Sequence, residues 1–277
     1  MAIQTEYSIQ QKIQCDKFDA QAVSSLSLFL FDGFYFYFAK DQNGKILAIH
    51  SQSFESPRLL AFKLKDEKLL KLDVPIKVFN HLASFSLVPG VVFESSLSSI
   101  FLFFAEKPKE NTHVFETTLS SNNLHLVGSI HKDLADILSQ DKSDITFHHG
   151  ASSFLSFAVK EKFNLLNQEI MVLVQKGFFY LIAFTNQELS LFNKFEIQNK
   201  EDFLKYLFGV VHQLNFNRAF CRISVFGDSM RYGIDELWGN LYFKNFKIST
   251  PFSNIQYHEG AEIFQKPEIF ESYWELP

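Results

Sequence analysis

Cysteine is nearly missing from this sequence. Cys15 and Cys221 are the only two among 277 residues. They are too few for a zinc site of their own and too far apart for a stapled secreted scaffold, so the expected setting is a reducing cytoplasm. A basic surplus is missing as well. Twenty-six Lys and Arg stand against 31 Asp and Glu, a net charge of −5, and no dense Lys/Arg stripe reverses that, so nucleic acid is not an expected partner. Long apolar runs are absent too. The greasiest, FLFDGFYFYFA and SIFLFFAE, stop short of the roughly 18 to 20 residues of a membrane span. The opening MAIQTEYSIQQKIQCDKF has neither a basic n-region nor an apolar h-region, so no signal peptide is expected. No Walker loop, Gly-x-Ser-x-Gly elbow or His-Glu-x-x-His occurs.

What is present is a globular composition, 47% hydrophobic and 21% charged, with 34 Phe. The clearest stretch runs from Ile170 to Asn217. Met171 to Gln175 and Phe178 to Phe184 are apolar runs parted by Lys176-Gly177, a second turn falls at Asn186-Gln187, and Leu189 to Ile197 is a third run. The period then changes from 2 to 3.6. Phe203, Tyr206, Leu207, Val210, Val211 and Leu214 fall on one helical face, with Asn199 as cap and Asp202 three residues on. An earlier stretch has the same grammar: Leu26 to Phe31, Asp32-Gly33, Phe34 to Ala39, Asn43-Gly44, then Lys45 to Phe54. Such self-similarity suggests two lobes on one plan, although Asx-Gly hairpins are common enough to arise twice independently.

Along the chain, the spacing predicts helices over Leu59 to Leu72, Val91 to Ala105, Lys132 to Ser139, Ser152 to Phe163 and Ser229 to Phe243. Strands are predicted at Ile76 to Leu82, Phe85 to Val88, Thr112 to Leu119, Leu124 to Ile130, Asp144 to His148, Ala219 to Phe226 and Phe246 to Thr250. The expected organisation is a lead-in over 1–24 that can add an edge strand, one lobe over 25–165, a second over 166–250, and a tail over 251–277 that packs on the body without regular structure. Each lobe reads as three antiparallel strands, then helix, strand, helix, strand. That order puts helices over a mixed five-stranded sheet, because the later strands need crossovers to join the meander. It is the layout of a ribonuclease-H-like lobe, and two in tandem make the actin-like ATPase architecture.

The segments SFSLVPGVVF (Ser84 to Phe93) and LFNKFEIQNKEDFLKYLFGVVHQL (Leu191 to Leu214) closely resemble two signature stretches of an uncharacterised Bacteroidetes family, domain of unknown function three-eight-two-two. The opening LSLFLFDGFYFYFAKDQNGKILAIHSQSF is similar to that family's start. The resemblance implies an actin-like fold and carries no proven site. In that fold, two meander turns of the form Asp-x-Gly-Thr/Ser present backbone N–H groups to phosphates, with the carboxylate organising Mg²⁺. Here the first turn is Phe31-Asp32-Gly33-Phe34 and the second is Gln175-Lys176-Gly177-Phe178. Both put Phe where a hydroxyl is needed, and the second has no acid. Adenosine recognition usually follows a paired-glycine turn after the fourth strand of the second lobe. Phe226-Gly227-Asp228-Ser229 keeps one glycine, and helix capping by Asp228 or Ser229 is its plainer reading.

The leading expectation is therefore a non-catalytic binding or scaffolding protein with degenerate phosphate loops and an unidentified protein partner. The alternative is a Mg-ATP-binding ATPase using Asp32 for Mg²⁺ and Gly33, Lys176, Gly177, Gly227 and Ser229 for nucleotide. His148-His149 invites a metal reading, but no Cys or carboxylate stands at ligand spacing, so no metal site is expected. Tyr273 and Trp274 are candidate partner contacts, the plainer reading being that they cover the core.

Overall fold

The structure, a computed structural model, describes residues 11–107, 110–119, 123–140, 142–161 and 164–277. The chain divides into two compact units. One holds the described residues up to Ser152 together with Ile255–Phe264, the other Ser153–Asn254 with Gln265–Pro277.

The first unit opens with β1 (Gln11–Gln14), β2 (Ser25–Phe31), β3 (Phe34–Lys40) and β4 (Ile46–Ser53), followed by α1 (Pro57–Asp66), β5 (Ile76–Asn80) and β6 (Phe85–Pro89). It continues through α2 (Ser98–Phe103), β7 (Thr112–Leu119), β8 (Leu124–His131), α3 (Lys132–Ser139) and β9 (Ile145–His149). Six strands make one sheet in the order β1-β4-β3-β2-β5-β9, and β6-β8-β7 form a separate small sheet. The lead-in thus supplies an edge strand, and the small sheet enlarges this lobe beyond the five strands expected.

The middle strands are buried on both faces. Phe29, Phe36 and Phe38 share one face, where Phe29 stacks on Phe36 and on Phe79, both at 4.8 Å, and Phe264 comes within 5.2 Å of Phe36. Tyr35 and Tyr37 take the other face, opposite Gln52 and His50. Helix α1 starts on Ser56, whose hydroxyl accepts from the Leu59 N–H, with Pro57 in its first turn. It ends earlier than the periodicity suggests. Glu67 leaves the helix in an extended conformation and its carboxylate turns into the sheet, where Tyr35, Tyr37 and Gln52 donate to it and His50 Nδ1 lies 3.3 Å away. The helix predicted over 91–105 shrinks to a 3-10 turn at Ser95–Leu97 and the short α2. The Ser95 and Ser98 hydroxyls hydrogen-bond the Glu116 carboxylate, and Leu97, at φ −102 and ψ 6, parts the turn from the helix.

Helix α4 (Ala151–Lys160) carries the chain onward to β10 (Gln168–Gln175), β11 (Phe178–Thr185), β12 (Glu188–Glu196), α5 (Lys200–Gln213), β13 (Arg222–Gly227), α6 (Glu236–Gly239) and β14 (Asn245–Ile248). The predicted end of α4 at Phe163 lies outside the described residues. The second sheet runs β12-β11-β10-β13-β14, with β13 and β14 added in parallel. That order repeats β4-β3-β2-β5-β9 of the first sheet, so the two lobes share one plan. Asn199 caps α5 through the Asp202 N–H at 2.9 Å, as its sequence predicts. The helix predicted over 229–243 does not form as one piece. A 3-10 turn at Ser229–Tyr232 closes on Gly233 at φ 65, and Asp235 then caps α6, a glycine-terminated stop.

The tail forms two 3-10 turns, Glu262–Phe264 and Phe270–Ser272. Within the second unit Phe270 packs edge-on against Phe154 and Phe157, each at 5.5 Å. Trp274 is 1% exposed and donates its indole N–H to Ser156. It is core and not a partner contact, while Tyr273 stays half-buried. Glu271 is buried beside the Gln175 amide, and burial pushes its carboxyl up to about 7.

Candidate functional site: two hairpin tips

In open sheets of this kind, ligands bind outside the carboxyl ends of the parallel strands. In the first unit those ends belong to β2, β5 and β9. The tip Asp32-Gly33 follows β2, with Gly33 at φ 80 and Asp32 exposed. His81, just after β5, donates its N–H to the Leu30 carbonyl, and Gly150, just after β9, donates to the Asn80 carbonyl. Rings fill this edge. Phe31 and Phe34 stack in parallel at 4.6 Å, and the imidazole of His81 stacks on Phe31 at 4.2 Å. His81 also lies on the backbone of Gly150, so closely that a Cβ there would come within 2.2 Å of the ring.

The paired histidines are tied into the strand end. Nδ1 of His149 accepts from the Ala151 N–H, which leaves Nε2 to donate to the Ala83 carbonyl. His148 bonds Thr117 and stacks on Phe79. Among the described residues no group of three His, Cys, Asp or Glu side chains could hold a metal ion.

In the second unit the corresponding ends belong to β10, β13 and β14. Lys176 and Gly177 form the exposed tip, with Gly177 at φ 86. Tyr232 clamps it: the Gly177 N–H donates to the phenol oxygen at 2.6 Å, and the phenol O–H donates to the Gln175 carbonyl at 3.3 Å. The amide that a phosphate would use is therefore already bonded. Phe178 is buried, with Lys194 Nζ 4.3 Å over its ring. Gly227 sits at φ 80 against β10. Asp228 does not cap the turn that follows; its carboxylate pairs with Arg231 at 2.7 Å. The Ser229 hydroxyl is buried and finds no partner among the described residues.

Tyr232 and His81 were not legible as site residues, because each acts on a tip far away in sequence. The Glu67 cluster had a partial signal: polar residues at 35, 37, 50 and 52 recur with period 2 on neighbouring strands. Replacing Tyr232 by Phe removes the acceptor of the Gly177 N–H. The expected result is faster amide hydrogen exchange at Gly177 and a loss of about 1 kcal/mol of stability. Unchanged exchange would mean that the clamp does not hold the tip.

The family profile for proteins of unknown function DUF3822 matches residues 16–244. The chain belongs to that family. A Bacteroides thetaiotaomicron protein described as having an actin-like ATPase fold and unknown function superposes with TM-score 0.70 at 17% identity, over 82% of this chain and 91% of that one. The structure of a PilM–PilN type IV pilus biogenesis complex superposes with TM-score 0.57 at 11% identity, over 91% and 97%. Among curated proteins none matches. This member of the family therefore has the actin-like ATPase fold, a mixed α/β architecture with two sheets of one topology. Among the described residues no helix is long and apolar enough to cross a membrane.

Proposed function

We propose that this chain is a non-catalytic binding module: an actin-like frame whose phosphate turns have become packing elements and whose partner is a protein. One observation carries the reading. The tip amide of Gly177 is bonded to Tyr232, on a turn that has neither acid nor hydroxyl. The first tip agrees with it, because the Phe31, Phe34 and His81 rings stack where a hydroxyl and open backbone would be needed. The similar PilM protein occurs in a complex with PilN, which supports protein binding as a use of this fold. A cytoplasmic setting fits the two cysteines, both buried and unbridged. Cys221 is also chemically quiet, since burial, aided by the charge of Glu169, pushes its thiol up to about 12.

Thermal unfolding with and without millimolar Mg-ATP tests the reading. A ligand at about 100 times its dissociation constant adds about 2.7 kcal/mol, a rise of several degrees for a chain of this size. The expected result is no shift. A clear rise would instead favour an ATPase that uses Asp32 for Mg²⁺ and Gly33, Lys176, Gly177, Gly227 and Ser229 for the nucleotide.

A further inference from the structure

The run SIFLFFAE, one of the greasiest in the sequence, does not become core. The small sheet β6-β8-β7 lays one side against β9, where Phe115 stacks with Phe147 at 6.1 Å and Phe85 lies 4.9 Å from His149. Its other side takes α2: Val88 and Val127 meet Leu102 there, flanked by Phe93, Phe101 and Val114. Leu102 is the one buried residue of that helix. Ile100, Phe103 and Phe104 fall three and four residues apart and so share its outer side. All three are exposed, Phe104 by 81%. Val91, 85% exposed, and Val92 stand in the turn just before Phe93, whose ring stacks on Phe101 at 5.9 Å.

A single exposed Phe needs no explanation, but with Leu97 there are six exposed large apolar side chains between residues 91 and 104, and a patch of that kind marks an interface. Charge identifies what covers it. One end of the strip carries the exposed Glu94, whose carboxylate accepts from the Ser96 hydroxyl at 2.6 Å, and the other end carries the exposed Lys107. Glu106 beside Lys107 is half-buried, and Glu116 is already engaged by Ser95 and Ser98. An apolar strip with an acid at one end and a base at the other is complementary to itself turned end for end. An anionic lipid surface would call for a basic strip, and this one is not basic.

We infer that the outer side of α2 is the interface of a two-fold dimer, in which α2 of one copy packs antiparallel on α2 of a second copy. The axis passes near Ile100, the Phe103 and Phe104 rings of each copy cover Leu97 and Ile100 of the other, and Glu94 of each copy meets Lys107 of the other. Such an isologous contact uses one self-complementary patch twice. The buried rings supply the affinity, while the exposed ion pairs add little to it and set the register. The strip is short, so the association is weak and sets in at micromolar concentration. The dimer does not rest on the binding-module reading. That reading fails on a thermal shift with Mg-ATP, the dimer on the mass measurements below.

Sedimentation equilibrium of the full chain at low salt, over a micromolar concentration series, measures it. The expected result is a reversible rise from 32.1 kDa to twice that mass. Phe104→Glu should weaken the dimer at least about tenfold, and Val91→Glu does the same at a second exposed position should Phe104→Glu fail to fold. Glu94→Lys and Lys107→Glu each set like charges against one another at both ends, and either alone should weaken the dimer about tenfold. Mixed in equal amounts, these two variants should associate with each other as tightly as wild type, because every end again meets the opposite charge. Three results would overturn the inference: a monomer at every concentration, which would leave the strip to a lipid surface or a different protein; a dimer that survives both Phe104→Glu and Val91→Glu; or two charge variants that associate no better mixed than alone.

Discussion

Glu67→Ala should lower the melting temperature by about 10 °C. The carboxylate is 4% exposed and takes hydrogen bonds from Tyr35 at 3.2 Å and Tyr37 at 2.9 Å, with Gln52 as a third donor. His50 Nδ1 is 2.6 Å from the Tyr37 hydroxyl and 3.3 Å from Glu67. Removing the acceptor strands these donors where water does not reach, and taking away one partner of a buried charged pair costs about 3–5 kcal/mol. At roughly 2–4 °C per kcal/mol for chains of 150–250 residues, that is of order 10 °C. Burial by itself pushes this carboxyl up, but the hydrogen bonds from His50 and Tyr37 and the attraction of His50 outweigh it and bring it down to about 2 from an ordinary 4.5.

The pH dependence follows in sign. A carboxyl held low in the folded state contributes its stability in full above its unfolded value and loses it as pH falls. Wild type should therefore lose about 3 kcal/mol from this group between pH 4.5 and about 2, at about 1.4 kcal/mol per pH unit, and Glu67→Gln should lose none of it. Equal slopes for the two proteins in acid-titrated denaturant melts would show that the carboxylate is not the centre of the cluster. The phenols move the other way: burial and the Glu67 charge push Tyr35 and Tyr37 well above the usual range, so both should stay protonated and resist alkaline titration.

The meanders were legible because strand and turn agree locally. Asp32-Gly33 and Lys176-Gly177 part apolar runs of matching length, and the change from period 2 to period 3.6 at Asn199 marks α5 unambiguously. The order of elements then fixed the lobe plan, since late strands can join a meander only by crossovers. What failed were the long helices. The stretches at 59–72, 91–105 and 229–243 are periodic enough to look continuous, yet each is interrupted: Glu67 is drawn into the sheet, Leu97 leaves helical geometry at φ −102 and ψ 6, and Gly233 takes the left-handed conformation. The candidate sites were legible as positions and not as environments. Asp32, Gly33, Lys176 and Gly177 do lie on hairpin tips, but the groups that fill or clamp those tips, His81 and Tyr232, come from other parts of the chain. The Gly177 to Tyr232 bond spans 55 residues, a distance over which no local pattern speaks.

Gly227→Ala should be much costlier than Gly44→Ala, its control. Both residues have a left-handed backbone, at φ 80 and φ 76, so both variants bear the strain of placing a Cβ there, about 1–2 kcal/mol. Their surroundings differ. A Cβ at Gly44 meets nothing within 4 Å, whereas at Gly227 it comes within 2.3 Å of the Val174 carbonyl oxygen and 2.8 Å of the Leu173 side chain. The carbonyl cannot step aside, because it belongs to β10 in register with Gly227 and also accepts the Asp228 N–H at 3.0 Å. Relief must come from parting β13 from β10 at this end, which moves Asp228 and the turn that presents Tyr232 to Gly177. The expected penalty is about 1–3 kcal/mol beyond that of Gly44→Ala, the range for overfilling a packed site, accompanied by faster exchange at the Gly177 amide. A melting temperature equal to that of Gly44→Ala, with Gly177 exchange unchanged, would show that the close approach does not hold the second tip in place.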